Sequence, residues 1–279
     1  MLSIIVTHHQ TPVLLKLCLK SIKENIGSFG MSPNEQFRYE IIIVDSQADQ
    51  EIQESIKEKF PTVQFISFSK NVGYAKIVNE GIKATQGEYI LILNADIIVL
   101  DKAISCLWEY LEKHPDVGIA GPQLLTFSNQ IQGSCFSFPS LGAIIARRTF
   151  LGKLDWGKQK INQFLIQGKD FFSPQPVNWL QGSAMLIRKE AIKKVGLLDE
   201  RFFIYLEDTD WCRRFWQNGY RVVYCPTAQM AHYYYRASKK WGGFLDILVN
   251  RYTRLHIVSA LKYFWKWRHS KNTHLKIVL

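Results

Sequence analysis

The sequence predicts an α/β fold built on a doubly wound, mostly parallel sheet, extended at its C-terminus by a basic helical segment. Two observations lead there. Short β-branched runs recur at 3–7 (SIIVT), 40–45 (EIIIVD), 63–68 and 89–93 (YILIL). Such strands bury both faces, as strands of a parallel sheet covered by helices do. Helix-length segments separate the runs, so the order reads β-α-β-α-β-α-β, and the ligand is expected at the carboxyl ends of the strands. At 279 residues and 47% hydrophobic, the chain is long enough for one large domain or two small ones.

The elements follow in order. Pro12 opens a helix running towards Asn25. The polar segment 48–60 is a second helix, stopped by Pro61. A third, 74–85, ends at Gln86-Gly87. The fourth, 101–114, has Asp101 as its expected N-cap and closes before Pro115. The rhythm then breaks: 127–176 is rich in Gly, Ser, Phe and Gln and is expected to hold loops and short helices. Order returns with strands at 177–180 and 182–188, helices at 189–195 and 208–218, and strands at 221–224 and 228–232.

Charge divides the chain. Lys and Arg number 35 against 24 Asp and Glu, a net charge of +11, and residues 236–279 hold ten of the bases and one acid, Asp246. Residues 1–235 are thus expected to form a near-neutral domain and 236–279 a basic, aromatic-rich helical extension. The five cysteines are scattered, with no CxxC pair, and read as reduced core thiols rather than a disulfide or zinc framework. The N-terminus lacks the charged start and apolar stretch of a signal peptide, and no apolar run approaches the length of a bilayer span, so a cytoplasmic location is expected.

Polar residues collect at the strand ends: Thr7-His8-His9 after the first, Asp45 after the second, Asn94-Ala95-Asp96 after the fourth. A carboxylate emerging from a buried strand, as Asp96 does, suits a divalent cation bridging a diphosphate, and equally suits a turn or an N-cap. Neither GxGxxG nor GxxxxGK[ST] follows the first strand, which argues against dehydrogenases and P-loop NTPases. Five acids lie within 199–210, and Glu207 and Asp208 open a helix. An ionised carboxylate there can act as general base towards a hydroxyl; an acidic first turn that merely complements the helix dipole is the alternative. Trp211/Phe215 and Cys212/Trp216 are i,i+4 pairs suited to core packing. Arg213 and Arg214 read either as phosphate contacts or as a solvated face.

With these residues in view, the chain resembles the inverting family-2 glycosyltransferases of GT-A fold, near the rhamnosyltransferases, over residues 2–232. The resemblance rests on ordered motifs: SIIVTHH, IIIVDSQAD, NVGYAKIVNEGI, YILILNADI, VGIAGPQLL, and the block from GSAMLIRKEAIKKVGLLDE through RFFIYLEDTDWCRRFWQ to AQMAH. It implies a Rossmann-like domain binding a dTDP- or UDP-sugar. Thr7 and Asp45 would line the nucleoside pocket, Asp45 at the pyrimidine. Asn71, Gly73 and Tyr74 would lie by the ribose and diphosphate, with Asn94 beside them. Asp96 and His232 would hold Mg²⁺ or Mn²⁺. Asp208, next to Glu207, would be the catalytic base, and Trp179, Gly182 and Ser183 would underlie the donor sugar and acceptor. Departures are the Asp45-Ser46-Gln47-Ala48-Asp49 loop, His8-His9 in place of Tyr-Asn, and Asn94 where many GT-A enzymes carry a carboxylate. The implied acceptor is a glycan or a polyprenyl-diphosphate-linked glycan in O-antigen or capsule synthesis.

The tail mixes Lys and Arg with Trp and Tyr, the composition of a membrane interface. It is expected to dock on the inner face of the cell membrane; the alternatives are packing on the core or a homodimer contact. Within it, 244–268 is either one helix or two broken near Ser259. A nucleic-acid-binding protein with a basic aromatic tail is the reading from another class, disfavoured by the near-neutral first 235 residues. An inactive relative that keeps sugar-nucleotide binding is a third.

Overall fold

A computed structural model describes residues 1–27, 37–166, 172–233 and 250–270. The four expected strands form: β1 (Leu2–His8), β2 (Tyr39–Ser46), β3 (Gln64–Phe68) and β4 (Tyr89–Asn94), all parallel, in the order β3-β2-β1-β4. The sheet continues beyond β4 through β11 (Ala184–Arg188), β6 (Val117–Leu125), β12 (Arg221–His232) and β5 (Ile97–Val99). Strand β11 runs antiparallel to both neighbours, and β5 runs antiparallel to β12. The fully buried β6 lies outside the expected set, because Gly118, Gly121 and Pro122 mask it from a propensity reading. Residues 221–224 and 228–232 join in one strand, with an irregular register between Cys225 and Gln229.

Period-two alternation sorts β1 between two cores. Leu2, Ile4 and Val6 pack with helices α1 (Pro12–Gly27) and α4 (Ala103–Lys113); Ile5 packs with α3 (Tyr74–Ala84), α7 (Lys189–Val195) and α8 (Glu207–Gln217). Burying one such aliphatic side chain contributes about 1.5–3 kcal/mol, so a one-residue slip would reverse every contact. Helix α2 (Gln50–Lys59) covers the β3 edge, where Asp49 accepts the amides of Glu51 and Ile52. Helix α4 corrects an expectation. Lys102, not Asp101, is its N-cap and makes no side-chain capping bond, and Asn25 Oδ1 from α1 accepts the Ile104 N–H at 3.2 Å. The irregular stretch holds the short strands β7 (Ile131–Gln132), β8 (Cys135–Phe136) and β9 (Gln175–Pro176), a 3-10 turn, and helices α5 (Leu141–Arg148) and α6 (Asp155–Phe164).

Helix α9 (Arg251–Trp267) runs unbroken through Ser259, whose hydroxyl donates to the Ile204 carbonyl at 2.8 Å. Its buried side, centred on Tyr263, packs on Phe202 and Leu206. The expected domain boundary at 235/236 lies outside the described residues. Among the described residues no helix is long and apolar enough to cross a membrane.

Candidate active site

Parallel register builds one edge of the site. It aligns His8 with Asp45 across β1–β2 and Thr7 with Asn94 across β1–β4. The Thr7 hydroxyl donates to Asn94 Oδ1 at 3.0 Å. His8 Nδ1 lies 2.9 Å from Asp45 Oδ1, both side chains 1% exposed, while His8 Nε2 accepts the Thr11 backbone N–H at 3.0 Å. The second contact assigns the tautomer: Nε2 is the acceptor, so Nδ1 carries the proton and donates to Asp45. Beside this pair opens a cavity of about 390 Å³, walled by His8, Gln10 and Pro12 on one side and Gln47, Ala48, Asp49 and Ile52 on the other.

Antiparallel pairing brings distant segments to Asp96. Strand β11 pairs Ala184 with Leu93, which sets Ser183 beside Asn94, and the Asn94 N–H donates to the Ser183 carbonyl at 2.9 Å. Strand β12 pairs His232 with Ile97, next to Asp96. His232 Nε2 then lies 3.6 Å from Asp96 Oδ2, while the Gln132 side-chain amide contacts Nδ1 on the other side of the ring. Asp96 Oδ1 and the Ser183 hydroxyl are buried without hydrogen-bond partners among the described residues.

The third component is the entry to α3, set against the acidic loop. Asn71 Oδ1 accepts the Gly73 N–H at 3.0 Å. Gly73 has φ +91°, and a Cβ there would stand 2.6 Å from the Phe203 carbonyl oxygen, so no other residue fits. That carbonyl accepts the Tyr74 N–H at 2.7 Å. The Tyr74 hydroxyl donates to the Gly182 carbonyl, and the Gly182 N–H donates to Asp208 Oδ2 at 2.9 Å. Asp208 Oδ1 accepts from the Thr209 N–H at 2.7 Å and from its hydroxyl. A Cβ on Gly182 would meet Asp208 Cβ at 3.3 Å and the Tyr74 ring at 3.4 Å, so a side chain there would crowd both.

Burial sets the electrostatics. It raises the Asp208 carboxyl above its ordinary value, against the pull of the Gly182 and Thr209 donors. Burial, reinforced by the Asp208 charge, lifts Glu207 further, and Glu207 Oε2 has no hydrogen-bond partner among the described residues. The Tyr74 hydroxyl is pushed well up, first by burial and then by Glu207, Asp208 and Asp96. Three carboxylates thus act on one phenol, two from the start of α8 and one from the end of β4.

A glycosyl transferase family 2 model matches residues 3–196. The chain belongs to glycosyl transferase family 2. It is 28% identical over 207 residues to the N-acetylglucosaminyl-diphospho-decaprenol L-rhamnosyltransferase of Mycobacterium tuberculosis, covering 69% of this chain and 66%, just under two thirds, of that protein. It is 26% identical over 261 residues to the rhamnosyltransferase WbbL of Escherichia coli K12, covering 90% of this chain and 89% of that one. A crystal structure of GalNAc-T7 with UDP, GalNAc and Mn²⁺ superposes with a TM-score of 0.63 at 16% identity, over 86% of this chain and 45% of that one, so the two share a fold. The expected GT-A architecture is thereby found.

In this family-2 glycosyltransferase the candidate residues fall into neighbouring groups rather than one cluster. Thr7 and Asn94 form one, His8 and Asp45 a second, Asp96 and His232 a third, and Tyr74, Gly182 and Asp208 a fourth. Trp179, on β10 (Trp179–Leu180), stands apart. Its indole donates to the Ser137 carbonyl at 2.9 Å and its ring packs against Phe136 and Phe164. Arg213 and Arg214 are not a solvated face. Arg213 is buried over Trp267 and donates to the Tyr263 hydroxyl; Arg214 binds Asp210 and the carbonyls of Val195 and Leu197 that end α7. Gln132, Phe203 and the inner face of α9 were invisible to motif reading. Gln132 sits in the irregular stretch, Phe203 acts through its backbone, and the α9 contacts join residues 50 or more positions apart.

Proposed function

We propose that this glycosyltransferase moves a sugar, with inversion, from a nucleoside diphosphate donor to a glycan or polyprenyl-diphosphate-linked acceptor in cell-surface polysaccharide synthesis. Rhamnose from dTDP-rhamnose is the first donor to test, on the strength of the two rhamnosyltransferase relatives; a UDP-sugar is the alternative. The observation that carries the reading is Asp208: a buried carboxylate held by the Gly182 N–H, with its proton affinity raised by burial, close enough to Asp96 for both charges to act on Tyr74. A base of raised pKa is a better proton acceptor at neutral pH. Asp208 takes the proton of an acceptor hydroxyl as that oxygen bonds the anomeric carbon from the far side. The bond to the diphosphate oxygen breaks with its electron pair, and one displacement inverts the centre.

Asp96 and His232 fit a divalent cation. Asp96 Oδ1 is a buried oxygen without a hydrogen-bond partner among the described residues, and an imidazole nitrogen faces the other carboxylate oxygen. Oxygen and imidazole ligands suit Mn²⁺ or Mg²⁺, with donor diphosphate oxygens completing the shell. Bound there, a cation offsets the charge that builds on the leaving diphosphate. Thr7, Asn71 and the cavity beside His8 are assigned to the nucleoside. The Ser183 hydroxyl, which has no hydrogen-bond partner among the described residues, and Trp179, which precedes Gly182 on the same segment, are assigned to donor sugar and acceptor. For the tail, the outer side of α9 exposes Ile257, Val258, Leu261 and Trp265 between Arg254 and Arg268, a composition suited to an anionic lipid surface.

The test is release of nucleoside diphosphate from a panel of dTDP- and UDP-sugars, with a lipid-linked glycan acceptor, Mn²⁺ or EDTA. Metal-stimulated release with one donor is expected, with a fall of about 10²–10⁴ in kcat for Asp208→Asn at unchanged dTDP affinity. Full activity of Asp208→Asn would exclude it as the base.

A further inference from the structure

Helix α9 is tied to the loop that carries the catalytic acids, and the ties converge on one lysine. Lys266 Nζ lies 2.8 Å from Asp199 Oδ2 and 2.7 Å from Asp210 Oδ1. Those two acids bracket the loop: Asp199 stands at its start, Asp210 in the first turn of α8 just past Asp208. Between them, Tyr205 and Leu206 are consecutive non-glycine residues in the left-handed region, with φ of 70° and 67°. Such a pair is costly and persists only where its surroundings over-determine it.

The surroundings here come largely from α9. Ser259 donates to the Ile204 carbonyl, Lys262 Nζ reaches the Arg201 carbonyl, and His256 stacks on Tyr205 with ring centroids 4.6 Å apart. Residues 256, 259 and 263 lie at i, i+3 and i+7, with 262 and 266 close by, so one side of the helix follows the loop from end to end. Asp210 is wholly buried and takes Lys266, the Trp267 indole N–H at 3.0 Å and Arg214 Nε at 3.0 Å. Asp199 is held by Arg201 as well. On the far side Phe203 is pinned by the Tyr74 N–H, so the loop is gripped from both flanks.

We propose that α9 is a positioning clamp for the catalytic base: Lys266, by bridging Asp199 and Asp210, holds the Tyr205–Leu206 turn in the conformation that aims Asp208 at Gly182. The inference rests on the assignment of Asp208 as base. Lys266 is a positioning residue: its bonds go to Asp199 and Asp210, not to Asp208. The clamp also gives the tail's charge a use inside the molecule. A lysine read from sequence as part of a basic surface is committed to two carboxylates.

The experiment compares Lys266→Met, Lys266→Arg, Ser259→Ala and Asp208→Asn in the full chain. Two measurements are made: amide hydrogen exchange across 199–210, and steady-state kinetics with dTDP-rhamnose, with dTDP alone as binding probe. Lys266→Met is expected to speed exchange in 199–210 while the central sheet stays protected. It is also expected to lower kcat by about ten- to a hundredfold, the scale of an ångström-level misplacement, with dTDP affinity and donor KM within about twofold. Lys266→Arg is expected to restore most of the kcat. If Lys266→Met does not fold, Ser259→Ala, which removes only the Ile204 bond, is expected to show the same split in smaller measure. Unchanged exchange across the loop in the folded variants, or a parallel loss of kcat, dTDP binding and global protection, overturns the clamp. If Asp208→Asn keeps full activity, the base assignment fails, and exchange alone then decides whether α9 holds the loop.

Discussion

Glu207 and Asp208 are chain neighbours that the fold treats differently. Asp208 has three donors to its carboxylate, whereas Glu207 Oε2 has none among the described residues, and burial raises both. For Glu207 the consequence for stability has a definite sign. Its folded-state pKa lies above the unfolded value, so between the two the folded chain holds the extra proton and stability falls as pH rises, by about 1.4 kcal/mol per pH unit. Glu207→Gln removes that dependence. It is expected to raise the melting temperature at pH 7.5 and to leave it nearly unchanged at about pH 3, below the ordinary carboxylate range, where the wild-type acid is protonated in both states; a variant equally or less stable at pH 7.5 would refute the assignment. Much of this scale was legible in the sequence. Thr7, Asp45, Asn94 and Asp96 stand where buried strands end, a position periodicity reveals. What the same residues bond to was not legible. Asp45 Oδ1 is taken by His8, because Thr11 fixes the ring's tautomer from the start of α1.

At the scale of elements, α3 and α8 are both aimed by non-local backbone contacts. The Phe203 carbonyl receives the first amide of α3, and only a glycine at 73, in a left-handed conformation, lets it approach. Gly73→Ala adds a Cβ at 2.6 Å from that oxygen in a conformation that itself costs about 1–3 kcal/mol. Its denaturation midpoint is expected to fall by an equivalent amount or more, measured by circular dichroism, and donor affinity to fall with it; a midpoint matching the wild type would show that the loop and α3 are not coupled. The motif NVGY marked this position, since a glycine before a helix is a visible signal. Strand β6 shows the converse. Its glycines and proline argue against a strand, and neighbours on both sides, β11 and β12, decide the matter by packing.

Over the whole molecule, the excess of positive charge is split by α9. Lys266 faces inward to Asp199 and Asp210, whereas Leu261 and Trp265, 67% and 70% exposed, face outward with basic neighbours. Attraction of such a face to anionic lipid is about 1 kcal/mol per basic residue and weakens with salt. Sedimentation with vesicles containing anionic lipid is expected to capture the protein at low salt and release it at high salt, and Leu261→Glu/Trp265→Glu to abolish capture while leaving kcat towards a soluble acceptor unchanged. Equal capture by neutral vesicles, or by the double variant, would exclude this face. The parallel strands, the kind of residue at each strand end and the motifs of the family are all legible in the amino-acid order, because burial periodicity and short motifs are local properties of the chain. Folding in three dimensions selects which oxygen of Asp45 is occupied, brings His232 and Gln132 together beside Asp96, and sets Lys266 between Asp199 and Asp210. Those facts depend on strand register and on helix docking across many tens of residues, where no local pattern specifies which side chains meet.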